Sequence, residues 1–227
     1  FVCAGAVRFS SGSFFSQVGV GAGSKALKRA ADLLGFQQKT GIEIGWEDSV
    51  GLVGDAAWAA AGRGWAEPGT VPWIPEDMAS ASIGQSVVQI TPLQLARAYA
   101  VFANGGWLVT PHLAQGTTDW LDADHRRKVP MKASTLATIR AGLRKVVSAG
   151  TGFGLNGPGI PAAAGKTGTA EDSTGGPDHA WFGSYAPYPD GEIVVVAFAQ
   201  NTPGGGSVHA LPMAKAVLAE WNRTRQD

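Results

Sequence analysis

The stretch AAAGKTGTAED, residues 162–172, places a lysine among hydroxyl groups and glycines at a spacing that could do chemistry. Gly165, Lys166 and Thr167 look like the end of a phosphate-binding loop, whose pattern is G-x-x-x-x-G-K-[ST]. The first glycine of that pattern would stand at position 160, where the sequence has Ile160. No clean apolar strand precedes the stretch either. The sequence therefore argues against a phosphate-binding loop.

The same residues have a use if they lie on a β-strand along which a ligand binds. Gly168 has no side chain, so a ligand backbone can approach closely. Lys166 supplies a cation for a carboxylate, and Thr167 offers a hydroxyl to the same group. The backbone N–H of Thr169 can face a developing oxyanion. Alone this triplet is a weak signal, because a lysine beside a turn glycine is a commoner explanation.

Composition narrows the function classes. The net charge is zero and 16% of residues are charged, so the sequence shows no basic surface for nucleic acid. Cys3 is the single cysteine, which excludes an intramolecular disulfide and a thiolate metal cluster. The sequence contains no run of 18 or more apolar residues, the length that a membrane-spanning helix needs. The abundance of glycine, 32 residues, and tryptophan, eight, favours a loop-rich enzyme over a helical bundle.

Periodicity predicts helices in the first part of the chain and a sheet in the last third. The predicted helices lie within 23–36, 91–106, 131–150 and 210–225, and Thr91 followed by Pro92 marks a helix start. Strand candidates are 162–170, 179–187 and 192–201, with YPDGE as a hairpin turn. Residues 41–80 are expected to be ordered loops, and 117–130 a charged surface connection. This order predicts an α+β fold.

At this point the sequence resembles a known family, the transpeptidase domain of class B penicillin-binding proteins, of the elongation (penicillin-binding protein 2-like) type. AAAGKTGTAED, HAWFGSYAP and EIVVVAFAQN are similar to its third, fourth and fifth strands. SIGQSVVQITPLQLARAYAVFANGGWLVTPHL resembles its glycine-glutamine turn and Thr-Pro-capped helix, SSGSFFSQVG its S-x-N segment, and TGIEI the stretch after the next helix.

The resemblance implies one transpeptidase domain over residues 1–227, incomplete at its N-terminal side. The antiparallel sheet, mainly within 160–202, would be flanked by helices. A helical subdomain would lie mainly within 10–110, and a closing helix would span 210–223.

Three signatures mark this group of serine acyltransferases: S-x-x-K, S-x-N and K-T-G. The resemblance assigns the third to Lys166, Thr167 and Gly168, where Lys166 and Thr167 would hold a terminal carboxylate. The N–H of Thr169 would complete an oxyanion hole.

The second signature would be Ser10, Ser11 and Gly12, with Ser10 relaying protons. In the family the third residue is an asparagine whose amide contacts the substrate peptide. Gly12 cannot supply that amide, and neighbouring Ser13 is a candidate replacement.

The first signature is absent, because none of the eight lysines has a serine three residues before it. FVCAG resembles a stretch that follows this signature in the family, so the nucleophile and its lysine are expected before Phe1. The link from FVCAGAVRF to SSGSFF is also shorter than in the family, which leads us to expect that residues are absent near position 9.

The resemblance implies a peptidoglycan D,D-transpeptidase that forms a serine acyl-enzyme with D-Ala-D-Ala stem peptides and is acylated by β-lactams. It implies no metal or organic cofactor, and glycosyltransferase and cell-wall elongation proteins as partners. The location would be the periplasmic face of the inner membrane, anchored by an N-terminal segment outside this chain. A β-lactam-hydrolysing or sensing domain and a non-catalytic cell-wall scaffold remain alternatives.

Several other residues could also suggest chemistry. His179 could be a general base, although a hydrogen-bonding role is favoured. Glu171 and Asp172 could pair as catalytic carboxylates, but the solvated start of a loop is the favoured interpretation. Four tryptophans are expected to anchor loops: Trp46, Trp58, Trp65 and Trp73. Three histidines have no metal-binding spacing: His112, His125 and His209. Cys3 has no residue nearby in the sequence that would activate its thiol.

Overall fold

The computed structural model describes residues 2–44, 49–114, 125–172 and 174–225. Within these ranges the helices are α1 (Val2–Arg8), α2 (Gly12–Ala22), α3 (Ser24–Leu33), α4 (Ala56–Ala60), α5 (Pro75–Ala81), α6 (Pro92–Ala103), α7 (Ala133–Ala149), α8 (Gly205–Val208) and α9 (Ala210–Thr224). The strands are β1 (Leu52–Val53), β2 (Val88–Gln89), β3 (Trp107–Val109), β4 (Arg126–Lys128), β5 (Ala164–Ala170), β6 (His179–Ala186) and β7 (Ile193–Ala199).

The main sheet has the antiparallel order β5-β6-β7, so β5 is an edge strand. One face packs against α9, where Phe182 meets Leu211 and Leu218 in a buried cluster. The other face packs against α6 and α7 through Tyr99 and Leu143, at the end of the sheet that contains Ala164 and Tyr185. Both faces are therefore covered at one end, and this fixes β5 beneath the cleft described below.

Backbone proximity within the sheet depends on glycine. A Cβ added to Gly165 would lie 2.6 Å from the carbonyl oxygen of Gly183, and one added to Gly183 would lie 2.3 Å from the ring of Tyr99. Such distances are below any van der Waals contact. The two glycines thus allow β5, β6 and α6 to pack closely.

Helix α6 begins at a complete capping box. The Thr91 hydroxyl accepts from Gln94 N–H at 3.1 Å, and the Gln94 side chain accepts from Thr91 N–H at 3.0 Å. The buried Gln94 amide also donates to the carbonyls of Gln38 and Val50, at 3.0 and 2.9 Å. The cap therefore joins α6 to the loops that wrap it.

Helices α1 and α7 pack closely where Gly142 faces Val7, because an added Cβ would lie 3.1 Å from Val7 Cβ. At their C-terminal ends, Arg8 Nε donates to Ala149 O at 2.7 Å. This junction brings the turns that follow α1 and α7 to the same side of β5.

The predicted α+β fold is confirmed, as are the helices α3, α6, α7 and α9 and all three strands of the main sheet. The prediction of loops throughout 41–80 is wrong, since β1, α4 and α5 lie there. The prediction of a charged surface connection over 117–130 is wrong at Arg126–Lys128, which pairs with β3, and its residues 117–124 lie outside the described part of the chain. The expected absence of residues near position 9 stays a prediction. No helix in the described ranges is long and apolar enough to cross a membrane.

We predict that Gly165→Ala lowers the free energy of unfolding by about 2 kcal/mol or more, because its Cβ would overlap a backbone carbonyl that cannot move alone. Gly5→Ala is the matched control. Its Cβ meets nothing within 4 Å in helix α1, so it should stabilise by up to about 1 kcal/mol. Urea unfolding of both variants measures the difference, and equal stability would contradict the close β5–β6 packing.

Candidate functional site

Lys166 lies at the centre of the site, on edge strand β5. Its ammonium group donates to the hydroxyl of Ser10 at 2.6 Å and to the carbonyl of Thr167 at 2.7 Å. Desolvation lowers the pKa of Lys166 from 10.5 to about 8. A lysine held in this way can bind an anion and can also exchange a proton near neutral pH.

Ser10 reaches Lys166 because of the turn that joins α1 to α2. Its backbone has φ 56°, a left-handed conformation that non-glycine residues seldom adopt. The N–H groups of Ser10 and Ser11 donate back to Val7 O and Ala6 O, at 3.2 and 2.9 Å. Ser11 then caps α2 by accepting from Phe14 N–H. The strained residue is thus held from both sides, as is common for functional groups.

Thr151, which stands in no recognisable motif, belongs to the same cluster. It lies in the turn after α7, and its hydroxyl is 2.9 Å from the hydroxyl of Thr167. The α1–α7 junction therefore delivers two hydroxyl-bearing turns to β5, one at Ser10 and one at Thr151. Ser10, Lys166 and Thr167 thus place a cation and two hydroxyls along the cleft, an arrangement that can bind a carboxylate, and Thr151 contacts Thr167 from beside them.

The edge of β5 continues the site beyond this pocket. Gln85, in the turn after α5, donates to Thr169 O at 3.0 Å and accepts from Glu171 N–H at 3.1 Å. In a strand, the N–H and C=O of one residue point to the same side. The N–H of Thr169 therefore faces away from β6, into the cleft, as the predicted oxyanion donor must.

A cleft of about 930 Å³ lies over these groups, lined among others by Ser10, Gly12, Gln85, Lys166, Thr169 and Trp181. Gly168 contributes no side chain, and Trp181 lies directly opposite it on β6. A Cβ added to Gly12 would meet nothing within 4 Å, so this corner of the cleft is open. The Ser13 hydroxyl lies 3.4 Å from that of Ser11. The residues predicted for the S-x-N and K-T-G signatures and Thr169 thus line one cleft, while Ser13 is not among its lining residues and all the roles stay predictions.

The acidic residues after β5 lie at the start of a turn. Asp172 accepts from the hydroxyl and the N–H of Thr174, at 2.7 and 3.0 Å. These bonds lower the pKa of the Asp172 carboxyl, the hydroxyl having the largest effect. Glu171 is exposed. The favoured interpretation, the start of a loop, agrees with this turn.

His179 lines the far end of the cleft and accepts from Asn201 N–H at 3.1 Å through Nδ1. This bond supports the hydrogen-bonding role that was favoured for His179. Among the described residues, no group of three or more His, Cys, Asp or Glu could hold a metal ion. Cys3 is half-buried with a free thiol.

The tryptophans differ from one another. Trp58 and Trp73 are half-buried, and the Arg63 guanidinium lies 5.7 Å from the Trp58 ring centroid. Trp65 is 74% exposed, so the prediction that it anchors a loop is wrong. Trp46 lies outside the described residues.

An antiparallel sheet with a C-terminal helix on one face, and a Lys-Thr-Gly edge strand facing a serine turn, defines the penicillin-binding/transpeptidase fold. The family profile described as "Penicillin binding protein transpeptidase domain" matches residues 2–219, and the chain belongs to that family. The resemblance that the sequence indicated is thereby confirmed.

Relatives and solved structures agree with this assignment. The peptidoglycan D,D-transpeptidase MrdA of Haemophilus influenzae is 30% identical over 236 residues, which cover 94% of this chain and 35% of the relative. The structure of Pseudomonas aeruginosa PBP2 in complex with WCK 5153 has a TM-score of 0.79 and 25% identity, over 96% of this chain and 47% of that one.

The fold is also shared with PBP2 in a complex with MreC from Helicobacter pylori, at a TM-score of 0.78 and 24% identity, over 98% of this chain and 39% of that one. The chain spans about a third of the length of the first curated relatives it matches.

We predict that carboxylate binding depends on the protonation of Lys166. With its pKa lowered to about 8, Lys166 is cationic below that pH and loses its charge above it, earlier than an ordinary lysine. The affinity for a carboxylate-bearing β-lactam should be constant below about pH 8 and fall up to about tenfold per pH unit above it. Lys166→Arg, whose guanidinium stays charged, should remove the fall. A pH profile of acylation in the full-length protein measures it, and an equal fall in both proteins would contradict the assignment.

Proposed function

We propose that this chain provides most of the transpeptidase domain of a peptidoglycan D,D-transpeptidase. The observation that supports it best is the position of Lys166 between Ser10 and the Thr167 backbone, with the hydroxyls of Thr167 and Thr151 beside it. This cluster lies on an edge strand whose backbone faces the cleft. It offers a cation, hydroxyls and N–H groups to a peptide that ends in a carboxylate.

In the proposed reaction a serine oxygen attacks the carbonyl of the penultimate D-alanine of a stem peptide. The amide C–N bond breaks, and the terminal D-alanine leaves with a proton on its nitrogen. An amine from a neighbouring strand then attacks the ester, forming the cross-link and releasing the serine. We propose that the attacking serine and its lysine belong to an S-x-x-K segment outside the 227 residues.

The residues of this chain would bind and orient the substrate and move a proton. Lys166 and Thr167 would hold the terminal carboxylate, with Thr151 next to them. The N–H of Thr169 would donate to the developing oxyanion, which is usually the largest single contribution to such catalysis. Ser10, hydrogen-bonded to Lys166, would pass a proton to the leaving amine.

Gly12 gives this site a feature of its own. In the family pattern an amide side chain at this position contacts the substrate peptide, and Gly12 has none. We therefore propose that substrate contacts at this corner are weaker and that binding relies more on the edge of β5. The open space around Gly12 is consistent with this.

The proposal extends to location and partners. Peptidoglycan lies outside the cytoplasmic membrane, so the domain would act there, held by an anchor in another part of the protein. Partners would be stem peptides, β-lactams and proteins of cell-wall elongation. The relative named MrdA and the structure of PBP2 in complex with MreC support this proposal. The proposed domain covers residues 1–227, with the helical subdomain within 10–110.

We predict that the full-length protein forms one persistent covalent adduct with benzylpenicillin. Intact-mass measurement before and after incubation should show a gain of one drug mass that survives for hours, because a transpeptidase deacylates slowly. A short-lived adduct would favour a β-lactam hydrolase.

The control variant is Lys132→Ala, an exposed residue at the start of α7. It should acylate normally, whereas Lys166→Ala should slow acylation by about 100-fold through loss of the carboxylate contact. If an intact S-x-x-K segment is present and no adduct forms, the catalytic proposal is contradicted and a scaffold role is favoured.

A further inference from the structure

Gln85 pairs with the edge of β5 in the manner of a neighbouring strand. Its side-chain amide donates to Thr169 O at 3.0 Å and accepts from Glu171 N–H at 3.1 Å. In a parallel sheet, one residue bonds in the same way to a carbonyl and to an N–H two residues apart. The Gln85 amide therefore occupies the place that a peptide group would take if a ligand extended the sheet.

Gln85 reaches β5 from a separate wall of the cleft. It lies in the tight turn that follows α5, where Gly84 and Ser86 have φ of +79° and +58°. The Gln85 N–H donates to Ser80 O at 3.0 Å, which fixes its backbone. The side chain itself is half-buried and holds β5 through two neutral hydrogen bonds. Its backbone can thus stay in place while the amide swings away.

Thr169 takes part both in the proposed binding of the ligand and in the contact with Gln85. Its N–H is the proposed oxyanion donor, and its C=O, on the same side of the strand, is bonded to Gln85. A peptide or amide that lies along β5 with its carbonyl near Thr169 N–H brings its own N–H toward Thr169 O. That N–H then competes with the Gln85 amide.

We propose that Gln85 is a displaceable cap on the edge of β5 that makes the site selective for the amide group of its acyl donor. This inference rests on the proposed transpeptidase function. When an amide-bearing donor binds, its N–H replaces Gln85 Nε2 at Thr169 O, and the Glu171 N–H is released at the same time. A ligand without an amide at this position leaves the cap in place.

The cap also has a consequence for the free protein. An unpaired strand edge invites pairing with other chains, and Gln85 satisfies the two backbone groups at the exit of β5. The correct ligand reproduces the bond to Thr169 O, whereas the bond to Glu171 N–H is lost when it binds. Gln85 would therefore lower the affinity for the correct donor slightly while closing the edge to other extended peptides.

The test compares two β-lactam probes on the full-length protein. Benzylpenicillin carries an acylamino group, and a penicillanic acid sulfone without a side chain carries none. Gln85→Met keeps the length of the side chain but removes both hydrogen bonds. The matched control is Gln17→Met, which makes the same change at an exposed position of α2 away from the cleft.

We expect Gln85→Met to raise the second-order acylation rate constant for benzylpenicillin about fivefold, which corresponds to the loss of one competing neutral hydrogen bond of about 1 kcal/mol. The constant for the sulfone should change less than about twofold, and Gln17→Met should change neither. In the unsubstituted protein, hydrogen exchange of the Glu171 N–H should become faster after acylation by benzylpenicillin but not by the sulfone.

Other results overturn the proposal. An equal fall for both probes, together with a lower Tm, would make Gln85 a structural clamp. Unchanged constants for both probes would show that Gln85 does not compete. If the unsubstituted protein forms no adduct with either probe, the transpeptidase function itself fails, and the cap fails with it.

Discussion

The hydrogen bond from Lys166 to Ser10 joins positions 156 residues apart, and it forms only if the Ser10 turn and strand β5 are both placed correctly. The packing of α1 against α7 sets the position of the Ser10 turn relative to β5. The pairing of β5 with β6 sets the direction of Lys166. The turn after α7 brings Thr151 to Thr167. Because each placement depends on close backbone approach, glycines such as Gly142 and Gly165 stand at the contacts.

Burial of Lys166 couples this geometry to the chemistry. Desolvation lowers its pKa to about 8, so the site holds a partly buried cation whose hydrogen-bond partners, Ser10 and the Thr167 carbonyl, are both neutral. A carboxylate that binds there gains a partner with fewer competing waters than on an open surface. The same strand offers its backbone to the rest of the ligand, with Gln85 as a provisional partner. Strand β5 would thus bind the ligand's carboxylate through Lys166 and the ligand's backbone through its edge, at positions a few residues apart.

Sequence patterns predicted the parts of the fold in which one local signal dominates. The capped helix α6 and the amphipathic helix α7 carry helical patterns, strand β7 is a continuous apolar run after a turn signal, and all three were confirmed. Helix α4, AAWAA, is too short to show a period. Helix α5 did carry a signal that was missed, Pro75 at its first position and Asp77 accepting from Ile74 N–H at 3.0 Å. Strand β4 consists of Arg126, Arg127 and Lys128, and only its pairing with β3 makes it a strand.

The site was predictable to a similar extent and for similar reasons. Lys166, Thr167, Gly168 and Thr169 stand in one motif, and Ser10 follows from a resemblance that spans the chain. Thr151 could not be selected, because a threonine after a glycine has no distinctive spacing, and Gln85, although it stands in the glycine-glutamine turn, carried no signal for a contact with β5. Their positions depend on the tertiary contacts of α7 and α5. What the sequence did not contain was the geometry by which distant turns meet one strand.

The most direct test of this account is a crystal structure of the full-length protein acylated by benzylpenicillin. The account predicts that the drug carboxylate lies within hydrogen-bond distance of Lys166 Nζ and Thr167 Oγ1, with the former β-lactam carbonyl oxygen on Thr169 N–H. An adduct whose carboxylate points away from β5, or whose carbonyl oxygen is bound elsewhere, would contradict it.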